Sequence, residues 1–126
     1  MTAGLIETNS GALTLGTSTA NIGTLSYTGG YVSGEFERWI DIAGSYLFPI
    51  GKSSYHALNI TINGMVGGGT LDAEFFETDP GSNGLPLYDN PDSVFNSFVD
   101  GYWSLTEANG FNLGGSNTYD IWLDGT

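Results

Sequence analysis

Hydrophobic and polar residues alternate one by one along the apolar stretches of this chain. In GEFERWIDI, residues 34–42, the residues Phe36, Ile40 and Ile42 fall on one side of an extended chain, whereas the acidic residues fall on the other. An alternation of period two is typical of a strand with one buried face, because successive side chains of a strand point to opposite faces. YHALNITIN, TLDAEFFET and TYDIWLDG repeat this pattern, and no long stretch has the 3.6-residue period of a helix. The sequence therefore predicts an all-β fold.

Turn-forming residues separate the predicted strands. The chain has 20 glycines, and sequences such as TNSG, TGG and NGMVGGG lie between the alternating runs. Turn signals at this spacing predict an antiparallel β-sandwich of about seven to nine short strands, of which a jelly roll is one form. At most one short helical turn is expected, near residues 91–98, because Asn90-Pro91-Asp92 can open a helix.

The length of the chain and its aromatic content favour one packed domain. Folding of 126 residues buries roughly two-thirds of the surface of the unfolded chain, and 7 Phe, 7 Tyr and 3 Trp supply apolar area for the core. The first residues, MTAGLIETNSG, lack the basic start and apolar stretch of a signal peptide, and the chain has no cysteine for disulfides. We expect residues 1–126 to form a single β-sandwich domain excised from a longer multidomain surface protein.

The charge balance limits the classes of partner. The chain has 14 acidic residues and 2 basic ones, which gives a net charge of −12 at neutral pH. Such a field repels phosphate groups and anionic lipid headgroups, so nucleic acid is not an expected partner. Direct membrane insertion is not expected either, because no apolar run approaches the roughly 20 residues that span a bilayer.

All the basic side chains lie close together in the sequence, from Arg38 through Lys52 to His56. Arg38 is the unusual one, because the alternation of its strand puts it on the inward, apolar face. A buried unpaired charge is too costly, and the planar guanidinium fork suits a carboxylate. We therefore predict a structural salt bridge between a partly buried Arg38 and an Asp or Glu of a neighbouring strand.

The sequence gives little support to catalysis. His56 is the only histidine, and it falls on the apolar side of its predicted strand, which is typical of a hydrogen-bonded core histidine. The carboxylate pairs Glu35/Glu37 and Asp72/Glu74 are spaced two residues apart, as on any solvated strand face, although a glycosidase could use such a pair across a cleft. No catalytic residue is assigned, and the chain is not expected to be an enzyme.

Exposed aromatic residues suggest one binding site. Trp39 and Trp122 fall on the acidic faces of their predicted strands, where they could stack on sugar rings, although tryptophan is also an ordinary sandwich core residue. Trp103 shares its side with Val99 and Leu105 and is expected to be in the core.

An acidic loop suggests a second binding site, for a metal ion. The irregular segment DPGSNGLPLYDNPDS, residues 79–93, concentrates oxygen ligands of the kind that calcium prefers on a loop shaped by Gly and Pro. The spacing is not that of an EF-hand, and such loops are often turns capped by Asx side chains. Calcium is the only cofactor that the sequence suggests, and its candidate ligands are Asp79, Asn83, Asp89 and Asp92.

The order of several motifs resembles a recurring module of large secreted surface proteins of Bacteroidota, of the kind exported by type IX secretion with a C-terminal sorting signal. The motifs are LTLGTSTANIGTLSYTGGYVSGEFERWI, GSYLFPIGKSSYHALNITI, EFFETDPGSNGLPL and FVDGYWSLTEANG, and they extend from about Leu5 to Leu123. SYHAL departs from the family, which more often has Arg-Pro after the tyrosine.

The resemblance implies a location and a role. It implies an extracellular, cell-surface module with a structural or adhesive function, whose partners are neighbouring domains of the same parent chain, glycans or other surface proteins. The alternative function is a carbohydrate-binding module that uses exposed aromatics. Because DSV can be an acceptor of O-linked glycan in this phylum, Ser93 is a candidate modification site.

Overall fold

Every regular element in the described part of the chain is a β-strand, which confirms the all-β prediction. The structure is a computed structural model, and it describes residues 4–82, 85–89, 91–95 and 98–125. The strands are β1 (Leu5–Glu7), β2 (Leu13–Leu15), β3 (Tyr31–Ser33), β4 (Phe36–Ile40), β5 (Gly44–Phe48), β6 (Ile50–Gly51), β7 (Leu58–Ile62), β8 (Gly69–Phe76), β9 (Leu87–Asp89), β10 (Asp92–Val94), β11 (Tyr102–Ala108) and β12 (Tyr119–Leu123).

Three sheets form the body of the fold. Sheet I has the order β11-β8-β4-β2, sheet II has the order β12-β7-β5, and sheet III has the order β1-β3-β6. The strands β9 and β10 pair only with each other among the described strands. Strand β10 occupies part of segment 91–98, for which at most one helical turn is predicted, and residues 96 and 97 of that segment lie outside the described ranges.

The pairing of strands is antiparallel only in part. The pairs in the centre of sheets I and II are antiparallel, whereas β1 with β3, β3 with β6, and β2 with β4 are parallel. The parallel pairs arise because the first strands of the chain alternate between sheets III and I, so that each return to a sheet runs in the same direction. The described residues form 12 strands in place of the predicted seven to nine, because several of these strands have only two or three residues.

The predicted alternation produces the core. Strands β4, β7 and β8 bury every second side chain, and the inward residues of all three sheets form one continuous apolar cluster. Phe36 of sheet I meets Phe48 of sheet II edge to face, with ring centroids 5.9 Å apart. Ile42, which the alternation assigned to the inward face, is 62% exposed because β4 ends at Ile40.

The sequence FPIG directs the chain from sheet II to sheet III. Pro49 lies between β5 and β6, where a proline interrupts a strand without removing a hydrogen bond from its centre. The Pro49 carbonyl accepts a hydrogen bond from the Val32 amide at 2.8 Å. Gly51 follows, and any side chain there would collide with the Ser54 carbonyl, so the turn requires glycine.

Within the described ranges, no helix is long and apolar enough for a membrane crossing.

Candidate functional site

Arg38 lies between sheets I and II. Its side chain is buried, and Nη1 donates a hydrogen bond to the Leu47 carbonyl of strand β5 at 2.7 Å. The guanidinium carbon lies 5.3 Å from the centre of the Tyr46 ring and 5.7 Å from the centre of the Phe48 ring, which is within cation–π range. Burial lowers the pKa of Arg38, and the Tyr46 hydroxyl opposes this shift.

The predicted carboxylate partner of Arg38 is absent among the described residues, and the Leu47 carbonyl takes its place. The alternation that turns Arg38 inward explains this difference. Glu37 on the same strand, and Asp72 and Glu74 on the adjacent strand β8, are at outward positions of sheet I and cannot reach the interior. A backbone carbonyl carries no net charge, so the cation is stabilised by one strong hydrogen bond and two aromatic faces.

His56 lies in the core as a hydrogen-bonded histidine. Its Nδ1 is 3.2 Å from the Asp124 carbonyl and its Nε2 is 2.9 Å from the Ser54 hydroxyl. Because a carbonyl can only accept, the tautomer that fits these partners has its proton on Nδ1 and accepts a hydrogen bond from Ser54 at Nε2. The ring stacks on Phe75, with ring centroids 4.1 Å apart, and Trp103 donates its indole N–H to the His56 carbonyl at 3.0 Å.

The His56 contacts join all three sheets. Phe75 and Trp103 belong to sheet I, the Asp124 carbonyl follows the last strand of sheet II, and the His56 amide donates to the Ile50 carbonyl of sheet III at 2.8 Å. A hydroxyl, an imidazole and an acceptor in this order could form a nucleophile and its base. In this protein Phe75 covers one face of the His56 ring. Ser54 belongs to a tight turn, in which the Lys52 amide donates a hydrogen bond to the Ser54 carbonyl at 3.1 Å.

The outer face of sheet I carries a pair of interacting carboxyl groups. Glu37 and Asp72 are directly opposite each other on β4 and β8. The pKa of Asp72 is raised from its ordinary value of 3.8 to about 6, first by burial and then by the charge of Glu37, a hydrogen bond with Glu37 and the charge of Glu35. One Asp72 oxygen is enclosed without a hydrogen-bond partner among the described residues. Burial and Glu35 also raise the pKa of Glu74, and Lys52 opposes that shift.

Trp39 and Trp122 do not form one platform. Trp39 is a half-buried residue of β4 in sheet I, whereas Trp122 lies on β12 of sheet II and is 58% exposed. Both are at outward positions of their sheets. Trp39 lies between two buried residues of β4, and Trp122 is opposite Asn59, which itself lies between two buried residues of β7. The two sheets pack with their inward faces together, so the two indoles belong to different outer faces.

Trp122 has polar neighbours on the outer face of sheet II. The strand register places Ser45, Thr61 and Asp120 in one row across the sheet, and Asn59 and Trp122 in the next row. A shallow depression of about 290 Å³ lies among these side chains. The Asn63 amide donates to the Asp120 carboxylate at 3.1 Å, and the Ser45 and Thr61 hydroxyls are 2.8 Å apart, so the row is held in place.

The candidate calcium ligands are only partly described. Asp79 Oδ1 accepts a hydrogen bond from the Gly81 amide at 2.7 Å, which is the turn-capping role of an Asx side chain. Asp92 is exposed on β10, while Asn83 and the side chain of Asp89 lie outside the described residues. The described residues contain no group of three or more metal-ligating side chains. Calcium binding stays a prediction, as does glycosylation of Ser93, which is exposed on β10 opposite Tyr88.

Sequence reasoning missed the acceptors of the main polar contacts. The carbonyls of Leu47, His56 and Asp124 accept the hydrogen bonds of Arg38, Trp103 and His56, respectively. Every residue carries such a carbonyl, so the sequence holds no signal for them.

Replacement of Arg38 tests its structural role. Arg38→Ala is expected to lower the free energy of unfolding by about 2–4 kcal/mol, because a charged hydrogen bond is lost, the Leu47 carbonyl is left unpaired and a cavity opens between two rings. Urea unfolding measures the change. Lys52→Ala, which removes an exposed basic side chain, is the matched control and should stay within about 0.5 kcal/mol of the wild type. Equal stability of the two variants would refute the role of Arg38.

The raised pKa of Asp72 predicts a pH dependence of stability. Between pH 3.8 and about 6 the Asp72 carboxyl is protonated to a greater extent in the folded protein than in the unfolded protein. The free energy of unfolding therefore falls as the pH rises through this range, and it stays lower at higher pH. Asp72→Asn should therefore raise the Tm at pH 8 by roughly 2–4 °C after allowance for solvent screening, and the gain should vanish near pH 4. Asp100→Asn, an exposed site with the same change in net charge, should give a smaller gain. A Tm of Asp72→Asn at or below that of the wild type at pH 8 contradicts the shift.

Comparison with known proteins does not identify a family. No protein-family model matches the chain, and no curated protein or solved structure is significantly similar to it.

Proposed function

We propose that this chain is a non-catalytic structural and adhesion module of a bacterial surface protein, located outside the cell. Its immediate partners are neighbouring domains of the same parent chain, with glycans or other surface proteins as further partners. The observation that carries the proposal is a set of hydrogen bonds between the sheets. Arg38 and Trp103 of sheet I donate to the Leu47 carbonyl of sheet II and to the His56 carbonyl just before β7, and the His56 amide donates to the Ile50 carbonyl of sheet III.

Contacts of this kind suit a module that carries load between neighbours. Two sheets joined only by apolar contacts can slide, because hydrophobic burial has no direction. A hydrogen bond is directional, and one buried between sheets fixes their relative position. Arg38 fixes β4 to β5, and Trp103 fixes β11 to the segment before β7.

The surface suits an extracellular location. The chain has a net charge of −12, and the outer face of sheet I carries Glu37, Asp72 and Glu74. Acidic side chains keep a protein soluble and discourage the pairing of exposed strands of different molecules. The Glu37/Asp72 pair fits this role better than acid–base chemistry, because it lies on the open face of a sheet.

A cell-surface experiment tests the proposal. Antibodies raised against the folded domain should label intact cells that produce the parent protein, and deletion of residues 1–126 from that protein should reduce retention of the cells on a surface under flow. Lys52→Ala in the parent protein is the control and should retain cells as the wild type does. Labelling only after cell lysis, or unchanged retention of the deletion strain, would refute the proposal.

The surroundings of Trp122 favour a second function, carbohydrate binding. The apolar face of a sugar ring stacks on an exposed indole, while hydroxyl, amide and carboxylate groups beside the indole bind the hydroxyls of the sugar. Trp122 has Asn59, Thr61 and Asp120 in that arrangement, and Trp39 on sheet I does not share their face.

The two tryptophans form a matched pair for testing this function. If the depression beside Trp122 binds glycans, Trp122→Ala should weaken binding of the domain to a responding glycan on an array by roughly tenfold or more, because the stacking surface is lost. Trp39→Ala should leave binding unchanged. Absence of any glycan signal, or equal losses in the two variants, would exclude Trp122 as the binding residue.

A further inference from the structure

One side of the fold is open between the edge strands of sheets I and II. We call this opening the β11–β12 groove. Leu105 and Glu107 of β11 form one wall, Tyr119 and Ile121 of β12 form the other, and Ile60 and Leu71 form the floor. The groove has a volume of about 300 Å³.

The groove exists because the inward face of β12 is uncovered. Tyr119, Ile121 and Leu123 are opposite the inward residues of β7, yet they are 51%, 43% and 43% exposed. Their partners on β7 are at most 3% exposed. A row of apolar side chains on the core side of a sheet is normally covered, so this row marks a position that another element can fill.

The backbone of β12 is available as well. Strand β12 is at the end of sheet II, and β11 is at the end of sheet I, in the part of the chain that the structure describes. An edge strand presents alternate N–H and C=O groups to the side away from its partner. An added strand would satisfy these groups and cover the apolar row at the same time, which is the β-augmentation mode of peptide recognition.

The charges around the groove select the partner. Glu107 is opposite Leu71, an inward residue of β8, so it belongs to the groove side of β11, and Asp120 belongs to the outer face of β12. Both are acidic, on a chain of net charge −12. Of the two Lys and Arg residues of the chain, Arg38 is buried and Lys52 lies in a turn, so a second copy offers no basic strand and is repelled. The complementary partner carries basic residues.

We propose that the β11–β12 groove binds an extended segment of another protein in which apolar residues alternate with Lys or Arg. The segment pairs with the free edge of β12, and its apolar side chains cover Tyr119 and Ile121. Its basic residues point to the outer face, on which Asp120 lies. This interaction goes beyond the adhesion role, because it depends on the groove and not on the location of the protein.

Two synthetic peptides of identical composition provide the first test. In one, valine and lysine alternate; in the other, the same residues form a valine block and a lysine block, which keeps the charge but not the alternation. We expect the alternating peptide to bind saturably in calorimetry and to slow hydrogen exchange of the β12 amides by about tenfold or more at saturating concentration. Absence of binding, equal binding of both peptides, or binding without protection of β12 would overturn the proposal.

Variants of the domain provide the second test. Ile121→Asp should abolish binding of the alternating peptide, whereas Ile42→Asp, at an exposed apolar site outside the groove, should not. Asp120→Asn should weaken binding of the lysine peptide by about threefold or more and leave unchanged the binding of a peptide in which glutamine replaces lysine. Circular dichroism checks that each variant is folded, and Asp120→Asn alone decides the matter if Ile121→Asp does not fold. Equal effects of the two Asp variants, or β12 protected by self-association without peptide, would overturn the proposal.

Discussion

The position of Arg38 between the two main sheets is the constraint on which the rest of the structure depends. A guanidinium enters the core of a chain whose charge is −12, and among the described residues no acidic side chain is there to meet it. The same alternation that turns Arg38 inward turns Glu37 and Asp72 outward. The cation is therefore held by the Leu47 carbonyl of the opposite sheet and by two aromatic rings. The contact that satisfies the charge also joins the sheets.

The His56 contacts have the same character. The His56 ring stacks on Phe75, and both of its nitrogens have hydrogen-bond partners. The backbone of His56 accepts from Trp103 and donates to Ile50, so this one residue connects three sheets. The acidic residues that are kept out of the core then crowd together on the outer face of sheet I, where burial and the neighbouring carboxyl groups raise the pKa of Asp72. Outward acids and inward basic groups are two consequences of one pattern.

The sequence predicts the parts of the fold in which alternation is strong. Strands β4, β7 and β8 lie where the period-two runs place them, because burial of one face requires that period. Strand β12 also lies where its run places it, although its inward face is uncovered. The parallel pairs at the start of the chain were not predicted, since short strands leave no period to detect. The partner of Arg38 and the separation of Trp39 from Trp122 were not predicted either. Both depend on which strands share a sheet, and a single sequence does not encode that in any local pattern.

Polar contacts between sheets I and II should make the two sheets one cooperative unit. Native-state amide hydrogen exchange in increasing denaturant tests this claim most directly. The amides to compare are those of β8, at the centre of sheet I, and β7, at the centre of sheet II. If the contacts of Arg38 and His56 couple the sheets, the slowest amides of both strands exchange with one common free energy and one denaturant dependence, equal to those of global unfolding. Two separate free energies, with one sheet opening while the other stays closed, would contradict the claim.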